Sequence, residues 1–115
     1  MNAINFVKEL RRFVIDFDFD QYKQQLELSK LNKINDEFWL SLVKFYKNLD
    51  KESQIVFLSI VRQIKIDNTS LILGILDGNM ILENQEEDFI LTIQGSSNPI
   101  NGELQGIFLE MEENT

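Results

Sequence analysis

The chain has 115 residues, a length that suits one domain and is short for two. It has no cysteine and no histidine, so disulfides, thiolate catalysis and the commonest general base and metal ligand are excluded. With 19 acidic and 11 basic residues, its formal net charge is -8, which argues against nucleic acid or an anionic membrane as a default partner.

The negative charge is concentrated in the C-terminal part of the chain. Residues 1–66 contain all 11 basic residues and nine acids, for a net charge of +2. Residues 67–115 contain ten acids and no lysine or arginine, for a net charge of −10. The overall charge therefore describes one segment and not the whole molecule.

Helical periodicity dominates the first 66 residues. Two amphipathic helices are predicted first, with a turn between them at which Asp18 or Asp20 caps the second helix. A third helix is predicted from Asn35 or Asp36, and a fourth is predicted to begin at Asp50 as its cap. The expected core stripes are Phe6, Leu10, Phe13, Val14 and Phe17; Phe19, Tyr22 and Leu26; Phe38, Leu42, Phe45 and Leu49; and Phe57, Ile60, Val61 and Ile64.

The pattern changes after Asp67. The apolar segment 69–76 fits a buried strand or a short helix, and capping residues before it favour the helix. Residues 79–82 and 89–93 are predicted to pair as an antiparallel hairpin, since the second segment alternates apolar and polar residues. A last helix is expected around Leu104–Met111, with Asn101 as its cap. The sequence thus predicts one α+β domain over residues 1–115, mostly helical, with N-terminal helices, a small hairpin and a C-terminal helix.

One acidic motif has the spacing of a calcium-binding loop. Counted from Asp16, acids occupy positions 1, 3, 5 and 12 of an EF-hand pattern. The glycine that the sharp turn requires at position 6 is Gln21 here, so capping aspartates at a helix junction are the preferred interpretation and no metal site is predicted. The calcium alternative would use Asp16, Asp18, Asp20 and Glu27.

A second group of acids is the predicted partner-binding surface. It combines the acids of the expected hairpin turn with those of the last helix. A solvated, solubilising surface explains the presence of these acids, and this alternative stays open. It explains a segment of 49 residues without a cation less well, because mixed charges also serve solubility, and a basic partner protein is one reason to tolerate such a charge. The candidate residues are Glu83, Glu86, Glu87, Asp88, Glu110, Glu112 and Glu113.

Catalytic motifs are absent from the sequence. Ser96 and Ser97 have no histidine to activate them, and the five glycines form no phosphate-binding pattern. We therefore expect neither an enzyme nor a cofactor. No apolar run approaches the length of a membrane helix and the N-terminus does not resemble a secretory signal, so the cytoplasm is the expected compartment.

The composition leads to one main functional hypothesis and three alternatives. By analogy of size and charge with bacterial immunity proteins, the chain is expected to neutralise or regulate a basic protein, such as a toxin or nuclease, by occluding its basic surface. The alternatives are a phage-type inhibitor that mimics nucleic-acid charge, a structural subunit of an assembly, and a calcium-binding protein.

Overall fold

The computed structural model describes all 115 residues, and every regular element in it is helical. Helices take up 67% of the chain and no strand is present, so the predicted α+β fold is wrong. No helix is long and apolar enough to cross a membrane. In chain order the elements are α1 (Ala3–Arg11), a π-helical turn (Arg12–Phe17), α2 (Asp18–Leu28), a 3-10 turn (Leu31–Lys33), α3 (Glu37–Asn48), α4 (Lys51–Leu76) and α5 (Leu104–Glu113).

The first three elements follow one another without a break, so the predicted turn at Asp18 and Asp20 is wrong. At the end of the π-helical turn, the amide of Asp18 donates to the carbonyl of Phe13, five residues earlier. The side chain of Asp18 does not cap a helix, because its carboxylate accepts a hydrogen bond from Lys65 of α4 at 2.5 Å. The π-helical turn is thus the point where the N-terminal helix is fastened to α4.

Two predicted helix starts are confirmed. The side chain of Asp36 accepts a hydrogen bond from the amide of Phe38 at 3.0 Å, and that of Asp50 accepts one from Ser53 at 2.7 Å. Both carboxylates satisfy amides that have no partner in the first turn of a helix. These starts were predictable because each cap acts on residues two or three positions away.

Helix α4 is longer than predicted. Residues 69–76 are helical, but they continue the helix that begins at Lys51, so the prediction of a separate short helix with its own cap is wrong. The helix ends in a Schellman motif, in which Gly78 has a φ of 83° and Asn79 donates its amide to the carbonyl of Gly74 at 2.9 Å. Asp77 and Gly78 therefore end the helix.

The predicted hairpin does not form. Residues 79–82 make no backbone hydrogen bond to 89–93; instead the carbonyl of Leu91 accepts from the amide of Ile100 at 2.8 Å. The amide of Leu91 donates to the side chain of Asn101 at 2.8 Å, so a side chain takes the place of a partner strand. The alternating segment is extended because it is held along residues 100–101, which the sequence pattern did not indicate.

The buried side chains form two small cores, one at each end of the molecule. The first joins α1, the π-helical turn, the C-terminal half of α4 and α5 through Val7, Ile15, Leu73, Leu104 and Phe108. The second joins α2, α3 and the N-terminal half of α4 through Leu26, Val43, Tyr46 and Leu58. The molecule is accordingly elongated: its radius of gyration is 17.9 Å, against about 13 Å for a compact chain of this length.

Replacing Phe108 with alanine tests the first core. Phe108 is fully buried, so Phe108→Ala should lower the free energy of unfolding by about 3–5 kcal/mol, measured by chemical denaturation. Leu28→Ala is the control at a largely exposed position and should change it by less than about 0.5 kcal/mol. Equal effects would contradict the assignment of the core.

The cap of α4 should make stability depend on pH. Hydrogen bonds from Ser53 hold the pKa of the Asp50 carboxyl below its usual value. A lowered folded-state pKa stabilises the protein fully above the unfolded pKa, which is about 3.9, and that stabilisation is lost as the pH falls through the folded-state value. Asp50→Ala should therefore lower the Tm at pH 7, and its difference from the wild type should shrink in acid. A difference that is independent of pH would contradict this role.

Candidate partner-binding surface

The two ends of the molecule differ in charge. Residues 1–17 and 66–115, which build the first core, contain three basic and twelve acidic residues and carry a net charge of −9. Residues 18–65, which build the second core, contain eight basic and seven acidic residues and carry +1. These two parts are called the acidic end and the neutral end below. The elongated fold keeps the lysines of the neutral end apart from most of the C-terminal acids.

Six of the seven predicted site residues are exposed on the acidic end and form no ion pair. The four predicted site acids in the connection between α4 and α5 are exposed, as are two of the three acids on α5, and none of these six forms an ion pair. They occupy two places, because Asp88 lines a depression beside Asp77 while Glu110 lines a groove between α1 and α5. The six residues are Glu83, Glu86, Glu87, Asp88, Glu110 and Glu113.

Glu112 differs from the other predicted acids. Its side chain is only 14% exposed, and it accepts a hydrogen bond from Arg11 of α1 at 2.5 Å in an ion pair. Arg11 is equally protected from solvent, so this ion pair links α1 to α5 beside the first core. Glu112 therefore serves intramolecular packing and is not available to a partner.

The structure does not bring the calcium candidates together. Asp16, Asp18, Asp20 and Glu27 all lie on the continuous N-terminal helix, where the first and last are separated by about 16 Å of helix rise. Asp16 lies 3.6 Å from Arg62 and Asp18 pairs with Lys65, so both serve as anchors to α4. No cluster of three or more acidic, histidine or cysteine side chains could hold a metal ion. The calcium alternative thus has no geometric basis.

Hydrogen bonds to Asp77, called the clamp below, hold together the two ends of the acidic connection, which comprises residues 77–103 between α4 and α5. Asp77, just after α4, accepts hydrogen bonds from the amides of Gly102 at 2.6 Å and Gln105 at 2.7 Å. It thereby caps α5, whereas the predicted cap, Asn101, donates to the carbonyl of Leu76 at 2.6 Å. The prediction of Asn101 as the cap is wrong because the true cap comes from a residue 28 positions away, outside any local capping pattern.

One edge of the acidic connection has unused backbone groups. The segment 88–93 has neither a turn nor a bend, and Leu91 uses both its amide and its carbonyl within the chain. Successive residues of an extended chain direct these groups to opposite sides. The amides and carbonyls of Ile90 and Thr92 make no hydrogen bond within the chain, and both residues are exposed. The sequence predicted a paired strand here, and it did not indicate that the segment would leave backbone groups without hydrogen bonds.

Comparison with known proteins assigns no family to this arrangement. No protein-family model matches the chain, and searches of curated proteins and of solved structures find no significant match. The function of the acidic end has to be inferred from its charge, its exposure and the clamp that holds it in place.

Substitutions of Asp77 test the clamp. Asp77→Ala leaves two amides without their acceptor and should lower the free energy of unfolding by about 0.5–2 kcal/mol, measured by urea denaturation. Asp77→Asn keeps one acceptor oxygen and should have an intermediate effect. If α5 and the connection showed the same amide hydrogen exchange in both variants as in the wild type, the clamp would be disproved.

Proposed function

We propose that the protein is a non-catalytic binding module whose acidic end binds a basic protein and thereby neutralises or regulates it. One observation carries the proposal: of the ten acids after Lys65, only Glu112 forms an ion pair. Asp67 and Asp77 accept hydrogen bonds within the fold. The remaining carboxylates repel one another without a cation of the same chain to compensate their charge. A basic surface would compensate that charge, which gives a physical reason for its concentration at one end.

The negative electrostatic field of the acidic end supports rapid association with a basic target, which an inhibitor requires. Like charges grouped on one surface raise the association rate with an oppositely charged partner, and added salt weakens this effect. Because the connection projects between two anchored helix ends, it can cover a basic active site without supplying any catalytic group. This is the mode of action expected of a toxin-neutralising protein.

The free edge at Ile90 and Thr92 gives the partner a second means of attachment. An extended segment can add to such an edge through main-chain hydrogen bonds, while neighbouring side chains select its sequence. Glu86, Glu87 and Asp88 come directly before this edge and are exposed. The preferred partner segment is therefore extended and rich in lysine or arginine.

Charge reversal tests the proposal directly. The triple variant Glu86→Lys, Glu87→Lys, Asp88→Lys should lose the basic protein that the wild type captures from a lysate of its source cell, identified by mass spectrometry. The matched control, Asp20→Lys, Glu37→Lys, Glu52→Lys, makes the same charge change with exposed acids of the neutral end that form no ion pair or hydrogen bond. It should retain capture.

Two outcomes would contradict the proposal. One is that both triple variants behave alike, and the other is that the captured proteins are not basic. Adding DNA or RNA to the captured complex separates a nucleic-acid mimic from an inhibitor of another basic surface, since only the mimic should be displaced. Thr92→Pro removes the unpaired amide of that residue and should weaken capture without changing the charge.

A further inference from the structure

Helix α4 is apolar on two opposite sides. Leu58 and Leu73 face the cores, and a second row of apolar side chains runs along the solvent side. This row, called the outer stripe below, has the spacing that places residues on one face of a helix. Its members are 47–56% exposed: Val56, Ile60, Ile64 and Leu71. A helix that is apolar on both sides belongs between two packed layers, and this chain supplies only one.

The apolar surface continues from α4 onto α3. The ring of Phe57, three residues before Ile60, packs edge-on against Phe45 with 5.8 Å between ring centroids. Phe45 is itself 54% exposed, although the sequence pattern assigned it to the core. Phe45 therefore extends the exposed apolar surface onto α3, and parts of the predicted core stripes of α3 and α4 lie on the surface.

The outer side of α4 carries almost no charge. From Ser53 to Leu76 the charged residues are Arg62, Lys65 and Asp67. The first two turn toward the N-terminal helix, where they pair with aspartates of the π-helical turn and α2. The carboxylate of Asp67 accepts a hydrogen bond from Gln63 at 2.9 Å. Covering this face would therefore desolvate few charges, which distinguishes it from an ordinary solvated helix surface.

The total exposed surface is larger than that of a compact chain of this mass. The chain exposes 8355 Å², whereas a compact protein of its mass exposes about 6,500 Å². The excess of about 1,800 Å² lies within the range of about 1,000–2,500 Å² that each subunit of an obligate homodimer buries. The elongated shape accounts for this excess, and the exposed side of α4 is part of it.

We propose that the outer stripe is a homodimer interface in which α4 of two copies packs antiparallel about a two-fold axis near Ile64. The stripe extends to similar lengths on both sides of Ile64, as a two-fold interface requires. The acidic end adjoins the C-terminal half of α4 and the neutral end its N-terminal half. Antiparallel packing places each acidic end beside the partner's neutral end, so the two acidic ends lie far apart.

This interface uses none of the acids of the proposed partner-binding surface. It leaves both acidic ends free, so the dimer would present two binding surfaces. Loss of dimerisation without loss of partner capture, or the reverse, would separate this inference from the proposed function.

The oligomeric state gives the first test. The wild type should have twice the mass of a 13.5 kDa chain by light scattering over a range of concentrations, and Ile60→Lys with Ile64→Lys should have the mass of one chain. Both positions lie outside the two cores, so the helical circular dichroism should be retained. A wild type that is monomeric at every concentration would overturn the proposal.

Cysteine cross-linking gives a second test that keeps the surface apolar. The chain has no cysteine, so Ile64→Cys introduces a single thiol that should form a disulfide between two copies under mild oxidation. Ile55→Cys is the matched control, because it is 62% exposed on another side of the same helix and should stay reduced.

Leu71→Cys tests the orientation. In an antiparallel pair the two copies of this residue are separated by about 21 Å along the helices, so no disulfide should form. Cross-linking of Leu71→Cys as readily as Ile64→Cys would indicate parallel helices and overturn the antiparallel arrangement. Equal cross-linking of Ile55→Cys would show random collisions and overturn the interface itself.

Discussion

Both hydrophobic cores depend on one helix. α4 has 26 residues and a length of about 39 Å; it contributes Leu58 to one core and Leu73 to the other. The remaining helices pack on its two halves, and ion pairs from Asp16 of the π-helical turn and Asp18 of α2 hold the N-terminal helix against its middle. A single long helix with packing at each end necessarily gives an elongated molecule with few buried residues.

The elongated shape keeps the acidic residues apart from most of the basic residues. The acids after Lys65 belong to one end because α5 and the connection pack on the C-terminal half of α4, while most lysines lie around the other half. In a compact chain of the same composition, the two signs would lie within a Debye length and partly cancel. Here one end keeps a strong negative field and the middle of α4 stays nearly neutral. The two proposed interactions, with a basic protein and with a second copy, follow from these separate surfaces.

Sequence reasoning succeeded where the deciding interactions are local. Asp36 and Asp50 cap helices whose first turns follow them directly, and the last helix was expected where α5 lies. It failed where a distant residue decides. Asp77 caps α5 in place of the predicted Asn101. The side chain of Asn101 instead accepts the hydrogen bond from the amide of Leu91 that was expected to go to a partner strand. The stripes were also assigned wholly to the core, although Phe45 and Ile64 face outward, because periodicity locates an apolar face without showing what covers it.

The sequence by itself determined the excluded chemistry, the helical first part and the concentration of acids after Lys65, since these depend on residue identity and short-range spacing. Only the tertiary structure decided that the second part contains no hairpin, that Glu112 is bound to Arg11, and that the calcium candidates lie along one helix. It also decided which apolar face of α4 remains exposed. These outcomes depend on contacts between residues far apart in the chain, where burial and hydrogen bonding override local preference.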